Sequence, residues 1–366
     1  MTGPGHHDGK RKGRGALSNR SGRFEALTDE GFDDGWPREI EERSSPATRL
    51  LPDHTRSIVA SNESPDVPFD ISINPYRGCE HGCIYCFARP SHAYLGMSPG
   101  LDFETRIFSK TDAPQLLRRY LSRPSYRCRI LALGANTDAY QPVEARARVT
   151  RSILEVLGEF SHPVALLTKS ALVTRDVDIL SSMASRRLAQ VSVSLTTLDP
   201  ELARVMEPRA STPARRLQTI RELSSRGIPV AVLTAPMIPG LNDWELERLL
   251  EAAAGAGATT ASWVLLRLPL EIGELFTEWL REHFPDRAER VLGLIRQTRG
   301  GDLYRSEFGS RMRGSGPYAE ILQQRFDVAT RRLGLDERAY RLDTSAFRVP
   351  PAAPGEASPQ LGLFGG

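Results

Sequence analysis

Between about residue 68 and residue 266, short apolar runs alternate with longer stretches whose apolar residues recur at helical spacing. The runs are Pro68–Ile73, Arg129–Leu133, Val164–Thr168, Ala189–Leu195, Val230–Thr234 and Ala261–Leu266, and each reads as a strand. The stretches Pro114–Leu121, Val143–Leu157, Asp176–Ser185, Pro213–Arg226 and Trp244–Ala254 read as helices. Gly227 closes the fourth, and Asn242 or Asp243 is expected to cap the fifth. Asp102–Lys110 reads as a mixed, strand-like segment. Apolar strands alternating with amphipathic helices predict a parallel sheet with both faces covered. Six units fall short of the eight of a closed barrel, which leaves a six-unit open barrel or a doubly wound sheet. Beyond residue 270 the chain turns helical, at Ile272–His283, Arg287–Arg299 and Pro317–Leu333.

At 366 residues, with 40 % hydrophobic and 25 % charged residues, the chain has room for one large α/β domain with appendages. Residues 1–48 are rich in Gly, Ser and charge and are expected to be a disordered basic tail. Residues 346–366 form a Pro/Ala/Gly-rich flexible tail. The net charge of +3 predicts no partner, but Lys10, Arg11, Lys12, Arg14, Arg20 and Arg23 gather at the N-terminus. The arginine fork there suits phosphate contacts; a solvated tail is the other reading. No apolar run reaches the roughly 18 residues of a membrane span, and no apolar leader is present, so a cytoplasmic protein is expected.

The chemistry concentrates in one stretch, Ile73-Asn-Pro-Tyr-Arg-Gly-Cys79-Glu-His-Gly-Cys83-Ile-Tyr85-Cys86-Phe-Ala-Arg89, which holds three of the four cysteines. Three thiolates on one tight loop can grip a metal or cluster and leave one coordination position open. A [4Fe–4S] cluster with a free fourth iron fits this set. Zinc completed by His81 or His92 is the competing reading, although no second cysteine knuckle exists. Cys128 precedes the second strand, at the opposite end from the loop, and reads as a small buried hydrophobe. Glu104, Lys110, Glu144, Glu207, Arg209 and Arg267 fall near strand ends, where charged residues line a cavity or pair on the surface.

The C-x-x-x-C-x-x-C loop, with Tyr85 before its last cysteine, resembles the signature of the radical S-adenosylmethionine (SAM) superfamily. Asn74–Cys79, Cys83–Arg89, Thr137-Asp138 with Gln141–Glu144, Thr168–Ser170 and Met206–Arg209 are similar to the spore-photoproduct-lyase-like branch, over about residues 60–330. The resemblance implies a partial (βα)6 TIM-type barrel over residues 49–270, with a helical C-terminal extension over 271–345. It implies that Cys79, Cys83 and Cys86 hold a [4Fe–4S] cluster and that SAM chelates the fourth iron. One-electron reduction would then release a 5′-deoxyadenosyl radical that abstracts hydrogen from substrate.

The same resemblance places SAM contacts at Tyr85, at Asn136, Thr137 and Asp138 after strand two, at Lys169 after strand three, and at Ser194 on strand four. Lys169 would pair with the SAM carboxylate. The usual Gly-Gly-Glu after strand two is missing here, and Pro239–Asn242 resembles an adenine-side loop. A ferredoxin or flavodoxin reductant is implied. The additional hydrogen-donating cysteine of the lyase has no counterpart if Cys128 is buried at the far end.

The tail ends in Gln360-Leu361-Gly362-Leu363-Phe364, apolar anchors on a tether that resemble the peptide with which bacterial repair proteins bind the DNA sliding clamp. Together these readings lead to an enzyme acting on DNA lesions. A radical SAM enzyme on RNA, protein or a small molecule is the alternative, and a non-catalytic metal-binding adaptor at the clamp is another.

Overall fold

The computed structural model describes residues 14–25, 47–336 and 340–351. Ten strands are present among them: β1 (Arg49–Pro52), β2 (Val59–Ser61), β3 (Ile71–Ile73), β4 (Tyr76–Arg77), β5 (Arg106–Ser109), β6 (Leu131–Leu133), β7 (Val164–Thr168), β8 (Ala189–Ser194), β9 (Val230–Met237) and β10 (Thr260–Leu265). The main sheet runs β10-β9-β8-β7-β6-β3-β2. Its six central and edge strands from β3 to β10 are parallel, and β2 joins antiparallel to β3. A doubly wound sheet would reverse strand order partway. Here successive strands sit side by side in chain order, so the sheet is a partial barrel with β2 and β10 at its edges. A smaller sheet, β1-β5-β4, flanks it.

The six strands expected from the apolar runs are all present, but coverage differs from the expectation. In β7, β8 and β9 burial alternates residue by residue. Val164, Leu166, Val191, Val193, Val230 and Val232 pack with Ile153, Leu180, Ile220 and Leu249 of the helices in one core. The alternate positions, Ala165, Leu167, Gln190, Ser192, Ala231 and Leu233, are only partly covered. Period-2 packing of this kind leaves one face of the sheet for a ligand rather than for helices.

Several local expectations are corrected. Asp102–Lys110 is a helix, Leu101–Thr105, followed by β5, because Thr105 Oγ donates back to Leu101 O (2.8 Å) and Asp102 pairs with Arg106 (3.2 Å) across one turn. Val143–Leu157 is two helices, Glu144–Ala147 and Val149–Glu159, broken where Arg148 takes a left-handed φ of 54°. Neither Asn242 nor Asp243 caps the next helix: Asn242 accepts from Ile238 N and Asp243 from Gly240 N, each folding its own turn. An unanticipated helix, Pro200–Met206, is capped by Asp199, which accepts from Glu201 N and Leu202 N. The Asp-Pro pair is a start signal that the pattern contained.

The C-terminal helices cover the β10 edge. Trp263 of β10 lies 6.2 Å from the Phe326 ring, and Ala261 N donates to Leu335 O. The segment 309–311 reaches across to the residues before β3, where Asp66 accepts from Gly309 N and pairs with Arg311. The two edges of the open sheet are thereby tied together by the extension. Residues Arg14–Glu25, expected to belong to a disordered tail, are packed on the cysteine loop, as described below. Residues 360–364, which carry the clamp-like peptide, lie outside the described residues, as do Lys10, Arg11 and Lys12.

At the base, Phe347 packs on Tyr126, Phe160 and His162. His162 is fully buried, its Nε2 is 2.6 Å from the Tyr126 hydroxyl, and burial lowers its pKa to about 4. An imidazole kept neutral in the fold is protonated first in the unfolded chain. Its effect is therefore absent above about pH 6.5, and it destabilises progressively as pH falls from there toward 4. Urea unfolding at pH 7 and pH 5 is expected to show a loss of about 2 kcal/mol from this group, and His162→Phe should remove that part of the pH dependence.

Candidate active site on the three-cysteine loop

Strand β3 runs directly into the cysteine loop. Asn74 Oδ1 accepts from Asn136 N (2.8 Å) and Thr137 N (3.3 Å), tying the ends of β3 and β6 together. Glycines 78 and 82 hold φ values of 78° and 68°. A Cβ on Gly82 would stand 2.8 Å from Glu104 Oε2, so only glycine fits there. Cys79 and Cys83 are buried and Cys86 is partly buried; all are free thiols. Burial pushes all three upward in pKa; at Cys79 the Asp138 carboxylate adds to this, and at Cys83 the Glu207 carboxylate does. Thiolates can persist in such a place only beside a concentrated positive charge, which a metal cluster supplies.

Beneath the loop lies Arg89, completely buried. Its guanidinium donates to Cys83 O (2.9 Å), Gly82 O (3.1 Å), Pro99 O and Gly100 O (3.0 Å each), and to Glu104 Oε1 (2.5 Å). Glu104 in turn accepts from Gly15 N (3.0 Å) and Ala16 N (2.8 Å), while Arg14 donates to Glu104 O. The segment Arg14–Glu25 is thereby strapped across the loop. It continues to the helix Ile272–His283, where Ser18 bonds Glu278 and Arg20 pairs with Glu274 (2.9 Å). Arg20 and Arg23, expected as phosphate contacts, are committed to Glu274 and Glu271.

The rim is built from strand ends. Asp138 accepts from Thr168 Oγ (2.7 Å), Tyr140 N (2.8 Å) and Lys169 N (2.7 Å), bracing β6 against β7. His81 Nδ1 stands 3.3 Å from its other side, at ion-pair distance but without hydrogen-bond alignment. Burial alone would raise the Asp138 carboxyl; the charge on His81 and the three donors outweigh it and hold the carboxyl down at about 2. Thr137 Oγ is spent on Tyr76 O (2.7 Å). Lys169 Nζ donates to the buried Ser194 Oγ (2.9 Å) and sits 5.9 Å from the Tyr85 ring centroid. It has no carboxylate partner among the described residues, and its charge opposes the rise in the Cys83 and Cys86 thiols. The Tyr85 hydroxyl bonds the buried Glu207, which also accepts from Thr196 Oγ (2.8 Å) and pairs with the buried Arg216.

Tyr85, Lys169 and Ser194 are thus brought together with Cys83 and Cys86. Asp138 acts on Cys79 through its charge, and Asn136, Thr137 and Asp138 spend the groups named above on the protein itself. Of the charged residues considered for a cavity lining, Glu104, Glu144 and Glu207 are instead buried and paired with Arg89, Arg175 and Arg216. Lys110 donates to Asn74 O, and Arg209 pairs with Glu80 (3.2 Å). Arg267 does reach the loop, 5.1 Å over the Phe87 ring. Cys128 is half-buried rather than buried, with its thiol pushed up to about 11 by burial. Arg89, Thr196 and Arg216 were not singled out for a role, and Asn242, expected as a cap or in an adenine-side loop, donates through Nδ2 to Thr196 O and Pro236 O. Their roles rest on hydrogen bonds and ion pairs that exist only once the loops have folded.

The donor set fits a cluster better than a single ion. His92 faces Arg106 O (3.0 Å), and burial lowers its pKa to about 4; His81 is turned toward Asp138. Among the described residues no three His, Cys, Asp or Glu converge as a one-ion site. Zinc would need its sulfurs about 2.3 Å from one centre. Three cysteines spread over separate irons need no such convergence.

A parallel partial barrel with three thiols on the loop after its first parallel strand is the architecture of a class of cluster-dependent enzymes. Residues 73–253 match the sequence model of the radical SAM superfamily. An uncharacterized protein of Mycobacterium tuberculosis is 38 % identical over 78 % of this chain and 82 % of its own length. One of Methanocaldococcus jannaschii is 25 % identical over 60 % of this chain and 78 % of its own. A spore photoproduct lyase complexed with dinucleoside spore photoproduct superposes with a TM-score of 0.55, at 16 % identity, over 78 % of this chain and 79 % of that one. The chain belongs to the radical SAM superfamily, and its cofactors are the [4Fe–4S] cluster and SAM of that superfamily. No described helix is long and apolar enough to cross a membrane.

The strap and the loop share one buried ion pair, so Glu104→Gln should lower unfolding stability by about 3–5 kcal/mol, because it leaves Arg89 buried and uncompensated. Urea titration measures this. Limited proteolysis should cut within residues 14–25 sooner than in the parent protein.

Proposed function

We propose that the chain reductively cleaves SAM and uses the resulting radical to abstract hydrogen from a lesion in DNA, in a lyase-like reaction. Cys79, Cys83 and Cys86 would hold the cluster. When bound, cluster and SAM supply the one-electron chemistry that yields a 5′-deoxyadenosyl radical. The observation that carries the reading is Lys169, an ammonium beside Cys83 and Cys86 with no carboxylate partner among the described residues. An uncompensated charge there is suited to an arriving carboxylate, the group SAM brings. Ser194 fixes the ammonium, and Tyr85, held by Glu207, forms the wall beneath it. Asp138 keeps the β6 and β7 ends at fixed separation, and Asn136 and Thr137 hold the β6 end to the loop through Asn74. The strap Arg14–Glu25 shields the loop from water on one side.

DNA as substrate is supported by the shared fold with a lyase seen bound to a dinucleoside lesion and by the partly covered sheet face lined by Gln190 and Ser192. The reductant is inferred to be a small one-electron carrier of the ferredoxin or flavodoxin type.

Anaerobic reconstitution with iron and sulfide, followed by dithionite and SAM, tests the chemistry through 5′-deoxyadenosine formation with and without irradiated DNA. Formation stimulated by irradiated DNA is expected. A colourless, zinc-loaded protein that leaves SAM intact would reject the enzyme reading in favour of an adaptor. Cys79→Ala is expected to lose the iron and the brown colour. Lys169→Met should keep the iron but raise the KM for SAM at least about tenfold, as expected for loss of a charge-assisted contact.

A further inference from the structure

Arg89, Arg216 and Arg299 are all essentially inaccessible to water. Arg89 is neutralised by Glu104 and Arg216 by Glu207. Arg299, 1 % exposed, has no carboxylate partner among the described residues. It is held in place by carbonyls instead: Leu266 O at 2.7 Å, Ser310 O at 2.9 Å and Leu265 O at 3.5 Å. The carbonyls of Leu265 and Leu266 mark the C-terminal end of β10, the end at which Arg267 emerges. Arg267 also has no carboxylate at ion-pair distance among the described residues; Asp66, which feels its charge, is paired with Arg311. Its nearest polar contact is Met312 Sδ, 3.5 Å from Nη1. The two guanidiniums feel each other: burial and the Arg267 charge together lower the Arg299 pKa to about 10. The Nε of each is buried without a hydrogen-bond partner.

Two neighbouring cations, one buried and one half-buried, with only the Arg311-paired Asp66 acting on Arg267 from a distance, repel one another at a cost that a bound anion would relieve. The place is specific. Arg267 lies over the Phe87 ring, and Phe87 directly follows Cys86 and is 43 % exposed. A guanidinium stacked on one face of an aromatic ring that is otherwise 43 % exposed is a pair of groups that can take a nucleic-acid backbone and its adjoining base. The SAM carboxylate already has its own cation, Lys169, on the β7 side of the site.

We propose that Arg267, backed by the buried charge of Arg299, seats a backbone phosphate of the nucleic-acid substrate, with the face of Phe87 receiving the neighbouring base. This rests on the reading of DNA as substrate and adds where the strand is gripped. The guanidinium edge of Arg267 makes the contact. Arg299 strengthens the field behind it and touches nothing of the ligand. A phosphate bound there releases counterions, so the contact is visible in the salt dependence of binding.

The test is fluorescence anisotropy of an irradiated, thymine-rich duplex oligonucleotide against the reconstituted full chain, from about 50 to 200 mM salt. Arg267→Gln is expected to weaken binding about tenfold and to lower the slope of log K against log salt by about one. Arg267→Lys should keep the slope and recover part of the affinity, which separates loss of a phosphate contact from loss of fold. Phe87→Ala should weaken binding with the slope unchanged. Arg332→Gln, an exposed residue paired with Glu251, removes the same charge elsewhere and should change neither quantity. If the unaltered protein binds the duplex but Arg267→Gln leaves affinity and slope as they were, or moves the KM for SAM instead, the phosphate seat is wrong. If the unaltered protein binds no DNA even at the lowest salt, the DNA reading itself fails.

Discussion

The cysteine loop cannot be built without the ion pair beneath it. A loop of nine or so residues that turns tightly around three thiols leaves backbone carbonyls facing inward, with no strand or helix to receive them. Arg89 supplies the donors. Its guanidinium carries five N–H groups, and the five bonds to Cys83, Gly82, Pro99, Gly100 and Glu104 use them all. Lysine could not do this, having three donors on a point charge. The cost of taking that cation out of water is met by Glu104, whose carboxylate also accepts from the amides of Gly15 and Ala16. A pair of this sort adds little net stability compared with an apolar core, but it fixes one geometry. Here that geometry is the relative position of the loop, the helix Leu101–Thr105 and the N-terminal strap.

A second buried pair does the same work on the opposite wall. Glu207 holds the Tyr85 hydroxyl and Thr196, and Arg216 carries its counter-charge while donating to Ser194 O (3.1 Å). The end of β8, the residue before the last cysteine and the helix Pro213–Ser225 are therefore one unit. Lys169 rests on that unit through Ser194. The parallel sheet brings these residues to one end because each strand runs the same way. The buried pairs then set distances that the sheet alone would leave loose.

Much of this was legible beforehand, and the limits follow from physics. The six strands showed because each buries Val, Ile and Leu against helices, a local pattern. Their sequential order could not be read from apolar runs, since open-barrel and doubly wound arrangements share them. The thiols showed because no ordinary structural role explains three cysteines at that spacing. Lys169 was singled out by the family resemblance and by its position just past a strand, and the fold sets it beside Ser194 and Tyr85. Glu104 and Glu144 misled because a charged residue near a strand end looks the same whether it lines a cavity or neutralises an arginine elsewhere in the chain. Arg89 lay inside the motif, yet its role depends on Glu104 fifteen positions on and on Gly15 far upstream. The strap was hidden for a related reason: a Gly/Ser/Arg segment has too few apolar groups to signal order. It is ordered by hydrogen bonds to a carboxylate already buried for another purpose.

Charge compensation distinguishes the framework from the working surface. Buried cations that hold the fold together carry their own anions, as Arg89 and Arg216 do. Among the described residues neither the partly buried Lys169 nor the buried Arg299 has a carboxylate at ion-pair distance, although the same chain supplies Glu104 and Glu207 to the framework. An uncompensated cation in a low-dielectric setting destabilises the empty protein, and the penalty is recovered only when a negative group arrives. Lys169 lies on the β7 side of the thiols, and Arg299 lies behind Arg267 at the end of β10. Between them runs the partly covered face of the sheet. Two separate deficits of negative charge, on either side of one open face, fit a site that takes two anionic ligands at once. On the reading of DNA as substrate proposed above, a polyanion crossing the mouth of the barrel would supply the negative charge missing on the β10 side.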